Sequence, residues 1–248
     1  MEREGLSRRG FLVATAVAGL ATSIVTPRLG AAAASKYAKK VLAKKPVAYW
    51  RLGEDKGPSA HDGTGNGHTG TYRGTPVYGK KGELEGDANT AIGLDGKRSY
   101  VEIPSHKAFS QPTSGKGLSV EVWVRPHVLV FEGETDDPHI HWLGKGEPGR
   151  EEWALRFYSR KSKDRPNRIS AYLFNPQGGL GAGAYFQDEL TAGKWLHVVA
   201  CFDPGDANTK GAGVHIYKDG VLRSGPPNPG VLYKSRVERW RGGERSRT

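Results

Sequence analysis

Cysteine is almost absent from this chain of 248 residues, which contains one cysteine and one methionine. A single cysteine excludes a disulfide framework within the chain. Cys201 lies in an apolar run from Trp195 to Phe202, and we expect a buried thiol that packs as a small hydrophobe rather than a catalytic nucleophile. A domain of about 200 residues buries enough surface to fold without disulfides.

Helical periodicity is also missing, because no long window repeats apolar residues at three- and four-residue spacing. The 35 glycines and 15 prolines are too many for a helical bundle or a coiled coil, and the glycines have no collagen period. With 36% hydrophobic residues, the chain can still bury a core. These absences favour a β-protein rich in turns.

The net charge of +11 suggests nucleic-acid binding until its distribution is considered. Residues 1–34 carry +2 and residues 234–248 carry +4, so +5 remains for the 199 residues between them. A nucleic-acid domain more often concentrates its charge in a groove or along a helix face. We therefore expect no nucleic-acid partner.

The first 34 residues have the pattern of a signal peptide, with a basic start, an uncharged segment and a final A-x-A site. Its paired arginines resemble the twin-arginine export motif, formed here by Arg8, Arg9, Phe11 and Leu12. The alternative is a retained anchor, because residues 10–27 reach about the lower length limit of a spanning helix. We expect cleavage near Ala34, export by the twin-arginine machinery and only transient contact with the membrane.

Short runs rich in β-branched and aromatic residues fill the middle of the chain, separated by Gly, Pro, Asp and Asn. The predicted strands are Val47–Leu52, Ala91–Leu94, Tyr100–Ile103, Leu118–Arg125, His139–Lys145, Trp153–Tyr158, Arg168–Phe174, Lys194–Asp203, Val214–Lys218 and Val221–Leu222. The dipeptide Asp219-Gly220 between the last two predicts a tight hairpin. Residues 35–45 are predicted to form a linker with one or two helical turns.

Several of these segments together resemble laminin G-like jelly rolls of the concanavalin A-like lectin/glucanase superfamily. They are Pro46–Glu54, Asp62–Tyr72, Leu94–Pro104, Leu118–Pro126, Trp195–Ala200 and Val214–Gly220. The resemblance covers residues 46–222 and implies an all-β fold of two antiparallel sheets packed face to face. We accordingly assign residues 46–233 to one jelly-roll domain.

The C-terminal segment departs from that family. After the Asp219-Gly220 hairpin the family continues to a closing strand, whereas here residues 234–248 are basic and lack strand alternation. A truncation or a shifted reading frame would produce this ending, and the sheet would then lack its last strand and expose an edge. The alternative is a genuine basic tail for an anionic surface.

Carboxylates in the pattern needed for glycoside hydrolysis are missing. Glucanases of this superfamily carry E-x-D-x-x-E on one strand, where two Glu act as nucleophile and acid/base. The nearest string, Glu85-Gly86-Asp87-Ala88-Asn89-Thr90, ends in Thr and lies in a glycine-rich region. No G-x-S-x-G nucleophile elbow occurs either. We expect no catalytic residues and no enzymatic activity.

Calcium is the one cofactor that the sequence suggests. The loop from Asp62 to Thr71 offers the side chains of Asp62 and Asn66 together with backbone carbonyls, which suit a hard cation. The family resemblance implies calcium either here or between this loop and an acidic side chain elsewhere. The alternative is that Asn and Gly merely supply turn conformations. His139 and His141 alternate on one strand as a metal pair would, but a polar loop entering a strand explains them more simply.

A sugar site requires aromatic faces and a few hydrogen-bonding groups. The candidate ligand-binding residues are Trp142, Trp153, Tyr158, Tyr172 and Tyr185. Since most of them lie within predicted strands, the alternative for each is a place in the core.

Taken together, the sequence predicts an exported, non-catalytic binding module. Its partner would be a polysaccharide or a cell-surface glycoprotein, and its location secreted or cell-surface, periplasmic if the cell has an outer membrane. The alternatives are a polysaccharide hydrolase or lyase of the same fold, and a structural or adhesion domain without a ligand.

Overall fold

The structure is a computed structural model that describes residues 35–110, 117–131, 138–147, 150–174, 182–188, 190–203, 213–225 and 228–229. The export motif of Arg8, Arg9, Phe11 and Leu12 lies outside these residues, as does the basic segment 234–248. Within the described ranges, no helix has the length and apolar character needed to cross a membrane.

The protein is mostly β, and every strand pairing among the described residues is antiparallel, which confirms the predicted fold class of a jelly-roll β-sandwich. The described residues form two compact units, and the boundary between them lies between Glu102 and Ile103. The boundary falls inside the span 46–233 that the sequence assigns to one domain, and those domain limits stay a prediction.

The first unit begins with helix α1, Lys36–Ala43. Ser35 caps it, because its Oγ accepts a hydrogen bond of 3.1 Å from the backbone N–H of Ala38. A helix of this length agrees with the one or two turns expected in the linker. Five short strands follow: β1 (Ser59–Ala60), β2 (Gly70–Arg73), β3 (Val77–Lys81), β4 (Thr90–Gly93) and β5 (Tyr100–Glu102).

These strands form a three-stranded sheet of order β1-β2-β5 and a β3-β4 hairpin. The strand predicted at Val47–Leu52 is wrong, since only Trp50 makes an isolated bridge, to Asp62. Leu52 has a φ of 52°, which a strand cannot accommodate.

The second unit contains a short 3-10 helix, Lys107–Phe109, and two four-stranded sheets. One sheet has the order β10-β9-β8-β7, from β7 (His139–Lys145), β8 (Trp153–Tyr158), β9 (Arg168–Leu173) and β10 (Ala182–Gln187). The other has the order β13-β12-β11-β6, from β6 (Leu118–Val124), β11 (Leu196–Asp203), β12 (Gly213–Lys218) and β13 (Val221–Leu222). Two short strands, β14 (Ser224–Gly225) and β15 (Asn228–Pro229), pair with each other.

The two large sheets lie face to face, with β9 and β10 against β12. The most deeply buried side chains come from both sheets: Leu155, Ile169, Phe186, Val198, Phe202 and Ile216. Alternation places every second residue of each strand in this core. The predicted inward face of β6, Leu118, Val120, Val122 and Val124, packs against it as expected.

The Asp219-Gly220 hairpin is confirmed, because Lys218 pairs with Val221 and the two turn residues have φ of 50° and 79°. Positive φ at both central positions is what a type I′ turn requires. The tight turn brings the strands after it back onto β12.

The prediction of a buried Cys201 is wrong. Phe202 and Ala200 point into the core, so the alternation of β11 places Cys201 on the outer face, where it is only partly buried. Its Sγ accepts a hydrogen bond from Ser119 Oγ at 3.4 Å. The residues on both sides of Cys201 are apolar, and only the register with β6 shows which alternation is buried.

Candidate functional site

The proposed calcium loop is held together by the carboxylate of Asp62. Its Oδ1 accepts hydrogen bonds from the backbone N–H groups of Tyr49 at 3.1 Å and Thr64 at 3.0 Å, and Oδ2 accepts one from His68 at 3.1 Å. Thr64 Oγ1 also donates to Oδ1, at 2.7 Å. Asn66 Nδ2 donates to the carbonyl of Val47 at 2.9 Å, so both predicted ligands tie the loop to the preceding segment.

Burial raises the pKa of Asp62, but the hydrogen bonds from Thr64, Tyr49 and His68 outweigh it and hold this pKa below its ordinary value. The carboxylate lone pairs are largely directed at these donors. Among the described residues, no three His, Cys, Asp or Glu side chains form a group able to hold a metal ion. Calcium at Asp62 and Asn66 stays a prediction. In the structure both residues hold the loop against the preceding segment through hydrogen bonds.

The string that comes nearest to the glucanase triplet lies in the connection between β3 and β4. Asp87 accepts a hydrogen bond from the guanidinium of Arg51 at 2.5 Å, and only 3% of its side chain is exposed. Its other oxygen accepts the N–H of Asn89 at 2.9 Å. Asp87 thus stabilises a turn.

Two of the five predicted sugar-binding aromatics lie on the core side of the β7–β10 sheet. Trp153 is 6% exposed, and its Nε1 donates to the carbonyl of Phe109 at 2.9 Å. Trp142 stacks on Phe157 with ring centroids 4.8 Å apart. Both therefore pack as the core alternative predicts.

The other three, Tyr158, Tyr172 and Tyr185, lie on the opposite face of the same sheet. The strand register aligns a row across it, with His141 opposite Arg156, Arg156 opposite Ser170 and Ser170 opposite Tyr185. This brings residues from four strands together. We call this surface the arginine–aromatic face; it comprises His139, His141, Arg156, Tyr158, Arg168, Ser170, Tyr172, Phe174 and Tyr185.

One end of this face is closely packed. The guanidinium of Arg168 lies 3.5 Å from the ring centroid of Tyr185 and 5.9 Å from that of Tyr158. All three side chains are buried, and His139 packs beside Tyr158 with ring centroids 5.1 Å apart. This end holds the face rigid rather than offering an open surface.

The other end is accessible and consists of His141, Arg156, Tyr172 and Phe174, which we call the accessible cluster. The Arg156 guanidinium lies 4.3 Å from the Tyr172 centroid and 4.9 Å from that of Phe174, and Arg156 Nε donates to His141 Nε2 at 3.0 Å. The two aromatic rings meet edge to face, with centroids 4.9 Å apart. His141 is exposed and the other three are partly exposed.

Glycine at position 183 allows this arrangement. Tyr172 pairs with Gly183 on β10, and a Cβ at that glycine would lie 2.7 Å from Tyr172 Cδ2. Such a contact is too close for a real side chain. The Tyr172 ring therefore rests over the bare backbone of β10.

The pKa of His141 is lowered from its ordinary value of 6.5, first by burial and then by the charges of Arg156 and His139, which outweigh the opposite effect of Glu151. Because folded His141 binds a proton more weakly than unfolded His141, its contribution to stability is full above pH 6.5 and is lost as the pH falls below that value.

We therefore expect acidification from pH 7.5 to 5.5 to lower the free energy of unfolding, and His141→Gln to reduce that loss. The difference between the two proteins should be under about 1 kcal/mol, because solvent screens this exposed position. Urea unfolding at both pH values measures it. Equal losses in the wild type and the variant would contradict the assignment to His141.

Sequence reasoning missed Arg156 and Arg168, since it searched for aromatic residues alone. Arg156 was detectable, because an arginine inside an otherwise apolar strand marks a face that is not part of the core. Arg168 begins β9 and gives no such signal. The residues that lie opposite the two arginines on neighbouring strands depend on the strand register, which no local sequence pattern predicts.

Comparison with known families agrees with this architecture. A laminin G family model, described as concanavalin A-like lectin/glucanases superfamily, matches residues 95–247. The match includes both large sheets and residues 234–247 of the basic segment. The resembling segments Pro46–Glu54 and Asp62–Tyr72 precede it. Searches of curated proteins and of solved structures found no match. Because the matched residues make up more than half of the chain, the protein belongs to the concanavalin A-like lectin/glucanase superfamily.

Proposed function

We propose that this protein is a non-catalytic carbohydrate-binding module that holds a polysaccharide or glycoprotein glycan against the accessible cluster. The observation that carries the proposal is the partly exposed pair of rings, Tyr172 and Phe174, beside the hydrogen-bonding groups of Arg156 and His141. Sugar rings have an apolar face and polar edges, so such a site suits them.

The superfamily description joins lectins, which bind sugars, and glucanases, which hydrolyse them. Non-catalytic binding is supported by the use of Asp87 in a turn with Arg51. It is also supported by the make-up of the accessible cluster, which contains no carboxylate. We further propose that the module acts outside the cytoplasm, secreted or at the cell surface, after twin-arginine export.

Binding of the full chain to a glycan array identifies a ligand, and Tyr172→Ala then tests the site. We expect this variant to weaken binding about tenfold, because losing the burial of one aromatic face costs about 1.5 kcal/mol or more. Tyr100→Ala is the matched control, since Tyr100 is 53% exposed in the first unit and its loss should change the affinity less than twofold.

Equal effects of the two substitutions would exclude the accessible cluster, and an array without any bound glycan would reject the carbohydrate-binding proposal. Repeating the measurement with EDTA tests whether calcium takes part. If the protein released reducing ends from the bound polysaccharide, the proposal of a non-catalytic module would be wrong and the protein would be a hydrolase or lyase.

A further inference from the structure

The guanidinium of Arg156 is held in place while most of its donors stay available. Its Nε donates to His141 Nε2 at 3.0 Å, and its Cζ lies 4.3 Å from the ring centroid of Tyr172 and 4.9 Å from that of Phe174. A guanidinium has five N–H donors, and its hydrogen bonds among the described residues use one of them. None of the ion pairs formed by the described residues includes Arg156.

Positive charge dominates the surroundings of Arg156. Arg168 lies on the same face of β9, two residues before Ser170, which is the cross-strand partner of Arg156. Two residues along a strand span about 7 Å. His139 and His141 are the remaining titratable groups of β7 on this face, and Glu151 is the acidic residue that acts on His141. Arg168 is only 7% exposed, so Arg156 is the cation of the accessible cluster, and a cation held at a surface favours a ligand of opposite charge.

A further polar group, Ser170, lies opposite Arg156 on β9. Ser170 is 6% exposed, and its Oγ is buried without a hydrogen-bond partner among the described residues. Buried hydroxyl groups are normally satisfied. Ser170 lies in the same row as Arg156 and Tyr185, so the middle of the face holds an unused hydroxyl beside a guanidinium with unused donors.

We propose that the glycan bound here carries a carboxylate, as in a polysaccharide of uronic acids, and that the Nη groups of Arg156 bind that carboxylate. This inference rests on the proposed function, because it names the class of sugar for the same site. The hydrogen bond to His141 and the contacts with Tyr172 and Phe174 restrain the guanidinium, and a restrained planar fork suits the two parallel hydrogen bonds of a carboxylate. The pyranose ring packs on the exposed parts of the two rings.

The test uses the full chain and three polymers, polygalacturonate, alginate and hyaluronate, each compared with its carboxyl-reduced form at physiological salt. Reduction converts the carboxylate to a neutral alcohol and leaves the rest of the sugar unchanged. Dextran sulfate is added to detect general attraction to polyanions. Isothermal calorimetry gives the affinity per binding site.

We expect at least one uronate polymer to bind about tenfold or more tightly than its reduced form, because hydrogen bonds between two charged groups are stronger than those to a neutral alcohol. Arg156→Lys keeps the charge but loses the planar fork, so it should lose most of that preference. Lys194→Ala is the control, since it removes one exposed positive charge outside the face. Thermal melting of each variant verifies that it is folded.

Equal binding of the uronate and reduced polymers, or equal binding of dextran sulfate, would overturn the carboxylate assignment and leave the carbohydrate-binding function intact. The same holds if Arg156→Lys binds like the wild type. Failure to bind any glycan, neutral or charged, would overturn both proposals.

Discussion

Replacing Leu155 with Ala should lower the free energy of unfolding by about 3 kcal/mol. Leu155 is 0% exposed and lies in the middle of β8, opposite Leu143 on β7 and Ala171 on β9. Neither neighbour can fill the space, because a sheet holds its strands at a fixed spacing. Urea unfolding followed by tryptophan fluorescence measures the change.

Leu222→Ala provides the matched control, since the same atoms are removed from a side chain that is 45% exposed on β13. Its cost should stay under about 1 kcal/mol. If both substitutions cost the same, Leu155 would not lie in a shared core of the two sheets. Leu155→Ala should also disturb the accessible cluster, because Arg156 follows Leu155 on β8 and projects from the opposite face of the sheet.

Replacing Asp188 with Ala should cost a comparable amount, about 2–4 kcal/mol, because two enclosed cations lose their partner. Asp188 follows β10, and its Oδ2 accepts a hydrogen bond from Lys218 Nζ at 3.0 Å. Its Oδ1 accepts one from Arg223 Nη2. The exposed fractions of the three side chains are 18%, 17% and 23%, so water only partly replaces the carboxylate.

Glu102→Ala is the comparison for an open ion pair, since Glu102 and Arg73 are each about half exposed. That loss should be about 1 kcal/mol or less and should disappear at high salt. Adding Lys218→Met to Asp188→Ala should restore part of the stability, because it removes one of the two stranded charges. Thermal melts at low and high salt distinguish these outcomes, and no rescue by Lys218→Met would contradict the stranded-charge explanation.

Local patterns predicted seven of the ten strands described in the second unit and missed β10, β14 and β15. The alternation of Leu118, Val120, Val122 and Val124 gave the inner face of β6, because packing against a core requires that period. Asp219 and Gly220 predicted their own turn, since the chemistry of a two-residue hairpin is local. Leu52 shows the limit, because nothing near it in sequence announces a φ of 52°.

The candidate site was predictable only in part. Tyr172 was named as a candidate and lies in the accessible cluster, whereas Tyr158 and Tyr185 are buried at the closed end of the face. Trp142 and Trp153 belong to the core, and Arg156 and Arg168 were overlooked. A list of aromatic residues does not distinguish the two faces of a strand.

The sequence by itself determined the fold class, the turn at Asp219-Gly220, the position of most strands and the distribution of charge. Each of these depends on composition or on neighbours along the chain. Only the tertiary structure decided which face of each strand is buried where both alternations are apolar, as at Cys201. It also decided that Arg156, His141, Tyr172 and Phe174 meet. Those contacts join three strands through cross-strand register, and register is set by the packing of the whole sheet.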